Sequence, residues 1–367
     1  MPPFSKQQIA HFARRVYQGM HKPDVAIIGG YHGVNAGDLA LGHSVKQQLD
    51  ARGIVSGFQT IYNLNKWNWP VAKYAIIGGG AVGYNNLVEV IAARYKKQAD
   101  KVAFLGVDFN EDNYSETSVS FLKQVKWISC RSKTQAQKLA LITERKDITW
   151  HPDIAFSLFN NQPRFSKKRL DKRNKLIVNI VPLYGKIQGN KIIPVNQYSK
   201  ERPELYASWE KMQKGYADFI CSLVQHALHQ GFVVETLPFT PMDGAASKII
   251  LDGLTVKHND YTSNIYRIYN KIKQADSILA TRYHATIFSI KAGLNVMPFA
   301  YAKKNEMLLE EIGIDKSKYL TPEMCISNSH NDFHIEPIEI DPEKVFQLEV
   351  SARFAIKRCL DSLGLVI

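Results

Sequence analysis

An arginine and a histidine stand close together after the apolar segment Ser277 to Ala280, in the stretch TRYHATIFSIKAG. Arg282 carries a planar guanidinium that suits a carboxylate or a phosphate, and His284 carries an imidazole that can donate a proton near neutral pH. We predict a strand before Arg282 and a helix over residues 285–292, closed by Gly293, so that both side chains lie on the turn between them. The turn could thus hold an anion beside a general acid. The structural alternative is that Arg282 pairs with an acid and His284 caps the helix.

A second candidate site is the glycine-rich stretch GGYHGVNAGDLAL, in which Asn35, Gly37 and Asp38 stand just before a predicted helix. Glycines let backbone N–H groups approach an anion, and the N-terminus of a helix adds partial positive charge. The stretch therefore predicts a cradle for a phosphate or carboxylate. It matches neither the dinucleotide fingerprint nor the P-loop. The alternative is a tight turn in which Asp38 caps the helix.

One further strand end and one segment at a domain edge carry candidate residues. Gly79 and Gly80 end the strand-like segment YAIIGGG, where missing side chains would let a ligand approach or would simply end the strand. Asp153, in His151-Pro152-Asp153, is placed to cap or orient a neighbouring segment. No histidine or acid has partners at metal-ligand spacing, so we predict no metal site.

The elements that position these residues alternate between strands and helices. Short apolar runs at VAIIGG, YAIIGGG and VAFLG end in glycine, and Leu41, Val45 and Leu49 mark a helix that stops at Gly53. This alternation predicts a mostly parallel sheet flanked by helices. A second series begins at LIVNIVPL and includes a helix over residues 209–229. The segment 185–202 shows no strong pattern and is expected to be a mobile loop.

The length of 367 residues favours two domains. We predict an N-terminal amphipathic helix (1–22), a first α/β domain (23–163), a basic linker (164–175), a second α/β domain (176–340) and a C-terminal helix (341–367). Ligands bind outside the carboxyl ends of the strands in such sheets.

The composition is that of a soluble protein, and its formal net charge of +13 favours acidic partners such as nucleotide sugars or phosphorylated metabolites. No nucleic-acid-binding motif is found, so we expect no nucleic acid partner. Four scattered cysteines fit a reducing cytoplasm. The basic N-terminal helix is expected to pack on the first domain, and the alternative is peripheral contact with the inner face of the membrane.

The order of the motifs GVNAGDLAL, IIGGGAVG, FLGVDF, HPDIAFSL, NIVPLY and LPFTPMD, followed by DSILATRYHATIFSIKAGLNVMPFAYAKKNEMLLEEIGI, resembles the polysaccharide pyruvyl transferase family. The resemblance spans roughly residues 25–314. Its most specific part contains the arginine-x-histidine turn and a later tyrosine-x-x-lysine, here Tyr301 and Lys304. The chain departs from the family pattern at Arg131-Ser132, where the family often has arginine followed by aspartate. It also lacks the arginine that often stands near the end of the Asn179 strand.

The resemblance implies two Rossmann-like α/β domains facing across a cleft, as in GT-B glycosyltransferases. It also implies a pyruvyl transferase that uses phosphoenolpyruvate to form a cyclic ketal on a sugar or glycan, either free or lipid-linked. His284 would be the general acid. Arg282 would be the second catalytic residue and would anchor an anionic group beside His284. Lys304, Tyr301 and the turn at Asn35 to Asp38 would bind substrate, without a cofactor. The alternatives are a GT-B glycosyltransferase that uses a nucleotide sugar, and a non-catalytic carbohydrate-binding subunit.

Overall fold

The computed structural model describes residues 23–31, 34–64, 71–159, 174–327, 338 and 340–366. The predicted N-terminal helix, most of the predicted basic linker and His32 lie outside the described residues. The chain divides into two compact units. The first consists of Met1–Gly33, Asp38–Leu158 and Leu348–Ile367, and the second of Val34–Gly37 and Phe159–Gln347.

The first unit is built on a six-stranded parallel sheet with the strand order β2-β1-β3-β4-β5-β6. Its strands are β1 (Val25–Gly29), β2 (Ser56–Thr60), β3 (Tyr74–Gly80), β4 (Val102–Val107), β5 (Trp127–Cys130) and β6 (Thr149–Trp150). Its helices are α1 (Ala36–Asp50, of which Ala36 and Gly37 belong to the second unit), α2 (Asn85–Tyr95), α3 (Glu116–Gln124) and α4 (Lys133–Thr143). Short 3-10 turns cover Ile61–Asn63, Lys96–Lys101 and Ile154–Ser157.

Continuous apolar runs explain why the central strands of this sheet are buried. Every residue of β1 and β4 is buried, as expected for parallel strands that are covered by helices on both faces. The predicted strands at VAIIGG, YAIIGGG and VAFLG are confirmed, as is the helix that carries Leu41, Val45 and Leu49.

The second unit is built on a five-stranded parallel sheet with the order β11-β10-β7-β12-β13. Its strands are β7 (Lys175–Asn179), β10 (Val233–Thr236), β11 (Lys257–His258), β12 (Ser277–Ala280) and β13 (Asn295–Pro298). Its helices are α5 (Tyr198–Glu201), α6 (Pro203–Ala207), α7 (Trp209–His229), α8 (Pro241–Ile250), α9 (Ile265–Ile272), α10 (Tyr283–Ala292), α11 (Lys303–Glu311) and α12 (Pro322–Ser327). A 3-10 turn covers Lys316–Lys318.

The segment 185–202, predicted to be a mobile loop, is instead ordered structure. β8 (Gly185–Gln188) and β9 (Lys191–Pro194) form an antiparallel hairpin, and α5 follows. The turn contains Gly189, whose φ of 58° is in the left-handed region that glycine adopts without strain. The alternation of Lys186, Ile187 and Gln188 is too short to distinguish a strand from a loop by its pattern alone.

The last helix, α13 (Pro342–Ser362), confirms the helical spacing predicted from Val345 to Leu360. The boundary between the two units falls within this helix, between Gln347 and Leu348. Among the helices of the described ranges, none is long and apolar enough to cross a membrane.

Candidate functional site

Arg282 lies between β12 and α10, and its guanidinium is held by a buried acid. Its Nη2 is 2.6 Å from Oδ1 of Asp243, and its Nε is 3.2 Å from Oδ1 and 3.1 Å from Oδ2. The Asp243 side chain is fully buried, whereas that of Arg282 is 22% exposed. The fork predicted to grip a substrate anion is therefore occupied by Asp243 in this structure. The structural alternative for Arg282, pairing with an acid, is what the structure shows.

Asp243 is itself fixed by the first turn of α8. Its Oδ2 accepts hydrogen bonds from the backbone N–H groups of Phe239 (3.0 Å) and Thr240 (2.9 Å). The Thr240 hydroxyl also donates to its Oδ1 at 2.8 Å. Thr240 and Asp243 form a capping box, which satisfies backbone donors at the start of the helix. The carboxylate thus both caps α8 and holds the guanidinium of Arg282.

A buried amide holds the backbone of the same turn. Asn179, at the end of β7, accepts a hydrogen bond from the backbone N–H of Arg282 at 2.8 Å. Its Nδ2 donates to the carbonyl of Leu237 at 2.9 Å. The Asn179 side chain therefore joins the end of β7 to the segments that follow its two neighbouring strands, β10 and β12.

The predicted tyrosine contacts Arg282, and the predicted lysine lies near that tyrosine. The Tyr301 phenol is hydrogen-bonded to the guanidinium and is also close to the charge of Lys304. The Lys304 ammonium lies 5.6 Å from the centre of the Tyr283 ring. Burial alone would lower the pKa of Arg282, but Asp243 and Tyr301 outweigh it and raise that pKa. Arg282 therefore stays cationic, and two cations stand beside one phenol.

His284 lies in the first turn of α10 rather than on a turn before the helix, because α10 begins at Tyr283 and Arg282 takes the N-cap position. It is buried at 9% exposure, and its ring packs against the backbone of Gly37. A methyl group added at Gly37 would lie 2.8 Å from Cγ of His284. The structure thus brings together one residue of the glycine-rich stretch and the histidine of the second predicted site.

The predicted anion cradle is partly occupied by bonds within the protein. The Gly37 N–H donates to Oδ1 of Asn35 at 2.9 Å, and the Ala36 N–H donates to the carbonyl of Phe239 at 2.9 Å. Asp38 lies in the first turn of α1, close to Gly30. Because two N–H groups are bonded and Asp38 adds negative charge, this turn is a poorer anion cradle than its sequence predicts.

Gly79 and Gly80 are explained by packing within the first unit. Both have positive φ, at 65° and 80°. A Cβ at Gly79 would lie 2.7 Å from Cβ of Leu41, so the missing side chain lets α1 approach the strand. No ligand contact is needed to account for these two glycines.

The first unit carries its own ion-pair cluster at the carboxyl ends of its strands. Arg131 donates from Nε to Oδ1 of Asp108 at 3.0 Å and from Nη1 to Oδ2 of Asp153 at 2.8 Å. Asp153 also accepts from the Ala155 N–H at 2.8 Å, which confirms its predicted capping role. In the part of the chain that the structure describes, no group of three His, Cys, Asp or Glu side chains could hold a metal ion.

Two units built on parallel sheets, with polar side chains after the strands, define an α/β protein of the GT-B type, as predicted. The model of the polysaccharide pyruvyl transferase family matches residues 35–303, which is most of the chain. The chain therefore belongs to the polysaccharide pyruvyl transferase family, and the predicted resemblance is confirmed. This places it among the transferases of polysaccharide biosynthesis. No match was found among curated proteins.

Solved structures support the fold. The UDP-GlcNAc 2-epimerase from Neisseria meningitidis bound to UDP-GlcNAc has a TM-score of 0.55 at 8% identity, covering 92% of this chain and 99% of its own. A putative UDP-N-acetylglucosamine 2-epimerase from Listeria monocytogenes has a TM-score of 0.53 at 10% identity, covering 94% and 96%. At such identities the likeness shows the fold alone.

The sequence-based prediction missed Asp243, Thr240 and the role of Asn179. A capping-box signal was present, because Thr240 and Asp243 are three residues apart with Pro241 between them at the first helical position. That signal predicts the start of α8. It does not predict that the carboxylate reaches Arg282, which is 39 residues further along the chain.

Proposed function

We propose that this chain transfers the pyruvyl group of phosphoenolpyruvate onto two hydroxyls of a sugar or glycan and forms a cyclic ketal. The observation that carries the proposal is the cluster of Arg282, Tyr301 and Lys304 at the carboxyl end of the second sheet, where His284 lies in the first turn of the helix that follows Arg282. Membership of the pyruvyl transferase family supports it.

In the proposed reaction, protonation of the methylene carbon makes the methyl group and leaves C2 electron-deficient. A sugar hydroxyl adds to C2 and loses its proton, inorganic phosphate leaves, and a second hydroxyl closes the ketal with loss of its own proton. One sugar diol and one phosphoenolpyruvate thus give one ketal and one phosphate. The protein must supply a proton donor, an anion site and a proton acceptor.

We assign the proton donor to His284. Its position in the first turn of α10 places the imidazole where the helix carries partial positive charge, which favours an anionic substrate beside it. Gly37 leaves room for the ring, and burial would shield it from bulk water.

We assign the anion site to Lys304 and the start of α10. The Lys304 side chain is exposed, and its ammonium lies near Tyr283. Arg282 is given a positioning role, since Asp243 occupies its fork. It adds positive charge and holds Tyr301.

The proposed function is tested by incubating the protein with phosphoenolpyruvate and a panel of sugars and glycans, free and lipid-linked, and measuring phosphate. We expect phosphate release that depends on an acceptor. Release of a nucleotide from a nucleotide sugar, without consumption of phosphoenolpyruvate, would instead indicate a glycosyltransferase. Sugar binding without any turnover would indicate a non-catalytic subunit.

The assignment of His284 is tested by His284→Asn. Loss of a general acid commonly lowers the rate about 100- to 10,000-fold, while phosphoenolpyruvate binding should be kept. Calorimetry and phosphate release measure the two properties separately. Near-wild-type turnover by the folded variant would contradict the assignment.

A further inference from the structure

Tyr301 is placed differently from the other tyrosines of the second unit. It follows β13, its phenol is hydrogen-bonded to Arg282, and Lys304 lies three residues further along the chain, in the first turn of α11. Its backbone carbonyl accepts a hydrogen bond from the Tyr184 hydroxyl, which helps to fix the segment. The residue as a whole is half-buried.

The charges around Tyr301 favour the ionised phenol. Burial alone would raise its pKa, and Asp243 acts in the same direction, but Lys304 and Arg282 outweigh both and lower the pKa below its ordinary value of 10.0. The net shift is the opposite for other buried tyrosines of the described chain, because burial dominates there and raises the pKa of Tyr31, Tyr95, Tyr114, Tyr184 and Tyr216. Two neighbouring cations thus distinguish Tyr301 from these residues.

Ketal formation needs a proton acceptor as well as a donor, because each attacking hydroxyl loses a proton. Asp243 is poorly placed for this task, since it is fully buried and its oxygens already accept from Arg282, Phe239 and Thr240. Tyr301 contacts the same guanidinium, and the residue as a whole is half-buried rather than fully buried.

We propose that Tyr301 is the base that accepts the proton of the sugar hydroxyl that attacks C2 of the donor. The O–H bond of the sugar breaks, its electron pair forms the new C2–O bond, and the proton forms the O–H bond of Tyr301. No oxidant, reductant or further co-reactant is required. This inference rests on the proposed function and adds to it the identity of the base.

The first test needs no acceptor. The ultraviolet absorbance of tyrosinate is followed during a pH titration of the wild type and of Tyr301→Phe. We expect a tyrosine of the wild type to ionise below the range of the others, and this step to be missing in Tyr301→Phe. The matched control is Tyr206→Phe, which removes a phenol that donates to Asn196 at 3.0 Å and should leave the early step in place.

A second pair of variants tests the electrostatic cause. Lys304→Met should move the early ionisation to higher pH. Lys303→Met removes the neighbouring lysine, whose exposed ammonium lies 3.5 Å from Glu306. This variant should leave the early ionisation at its wild-type pH. Equal effects from the two lysines would contradict a local role of Lys304.

The catalytic arm measures phosphate release against pH with an acceptor found in the panel. Tyr301→Phe should lower the rate about 100-fold or more and remove the fall in rate on the acidic side that reflects protonation of the base. Lys304→Met should shift that fall to higher pH, whereas a purely structural tyrosine would leave the pH profile unmoved.

An active wild type without an early tyrosine ionisation, or a Tyr301→Phe variant with the wild-type profile, overturns the role of Tyr301. A wild type that releases no phosphate with any acceptor contradicts the proposed function itself and leaves the base without a substrate.

Discussion

The two nitrogens with which Arg282 holds Asp243, Nε and Nη2, are one of the two pairs through which a guanidinium binds a bidentate anion. The residue types predicted a cationic turn, and the turn is present between β12 and α10. The partner could not be predicted, because the contact depends on how α8 packs against that turn. Arg282 therefore contributes a fixed charge and a hydrogen bond to Tyr301.

At the same scale, Gly37 has a steric role that its sequence pattern did not predict. Gly37→Ala would press a methyl group against His284, 2.8 Å from its Cγ, and the ring would have to move. Overpacking of this kind costs about 1–3 kcal/mol of folding stability. We expect the rate of phosphate release to fall by a much larger factor than the folding equilibrium constant does. Thermal unfolding and the phosphate assay measure the two effects.

Gly244→Ala is the matched control for that change. A Cβ at Gly244 would lie 3.7 Å from Pro238, an ordinary contact, and the position is inside α8. Alanine should be tolerated and can raise stability by up to about 1 kcal/mol. If Gly37→Ala kept full activity, the close fit between Gly37 and His284 would have no part in catalysis.

At the scale of the element, most helices and strands follow from periodicity, and the errors occur where tertiary contacts decide. The helix α7 begins and ends at the predicted residues, Trp209 and His229. The helix α10 begins at Tyr283, earlier than predicted, because Asn179 holds the backbone of Arg282 in the N-cap position. The β8–β9 hairpin was missed because its strands are only four residues long.

The connection between β12 and α10 should depend strongly on Asp243. Asp243→Asn leaves a buried guanidinium without its counter-charge, and removal of one partner of a buried ion pair costs about 3–5 kcal/mol. We expect the lower end of this range, because the Arg282 side chain keeps 22% exposure. Urea unfolding measures the change. Asp50→Asn, which breaks the exposed pair of Lys46 and Asp50 at 2.7 Å, should cost less than about 1 kcal/mol; equal losses would show that the Asp243 pair is not special.

At the scale of the whole molecule, length and motif order predicted two α/β units of the GT-B type, since both depend on many residues at once. The particular ion pairs within each unit, in contrast, depend on few residues. The second unit has a network in which Glu235 of β10 lies 2.7 Å from Lys175 of β7, 3.5 Å from Lys257 of β11 and 3.7 Å from Lys271 of α9. One buried carboxylate thus joins three neighbouring elements.

This network predicts how stability depends on pH. Burial alone would raise the pKa of Glu235, but Asn259 and Lys175 outweigh it and lower the pKa to about 2, from an ordinary 4.5. A lowered folded-state pKa stabilises the fold above the ordinary value, and the contribution is lost as pH falls from 4.5 towards 2. Glu235→Gln should therefore be less stable than the wild type near neutral pH, with a gap that narrows in acid. Unfolding of both proteins across this range measures the gap; a constant gap would contradict the assignment.

The central claim is that the protein makes a pyruvate ketal from phosphoenolpyruvate by protonating its methylene carbon. The most direct test is the mass of the acceptor product after reaction in ordinary and in deuterated water. We expect the acceptor to gain the mass of pyruvate less one water, and the product formed in deuterated water to carry one deuterium in its new methyl group. A product without the pyruvyl mass, or a methyl group without deuterium, would contradict the account.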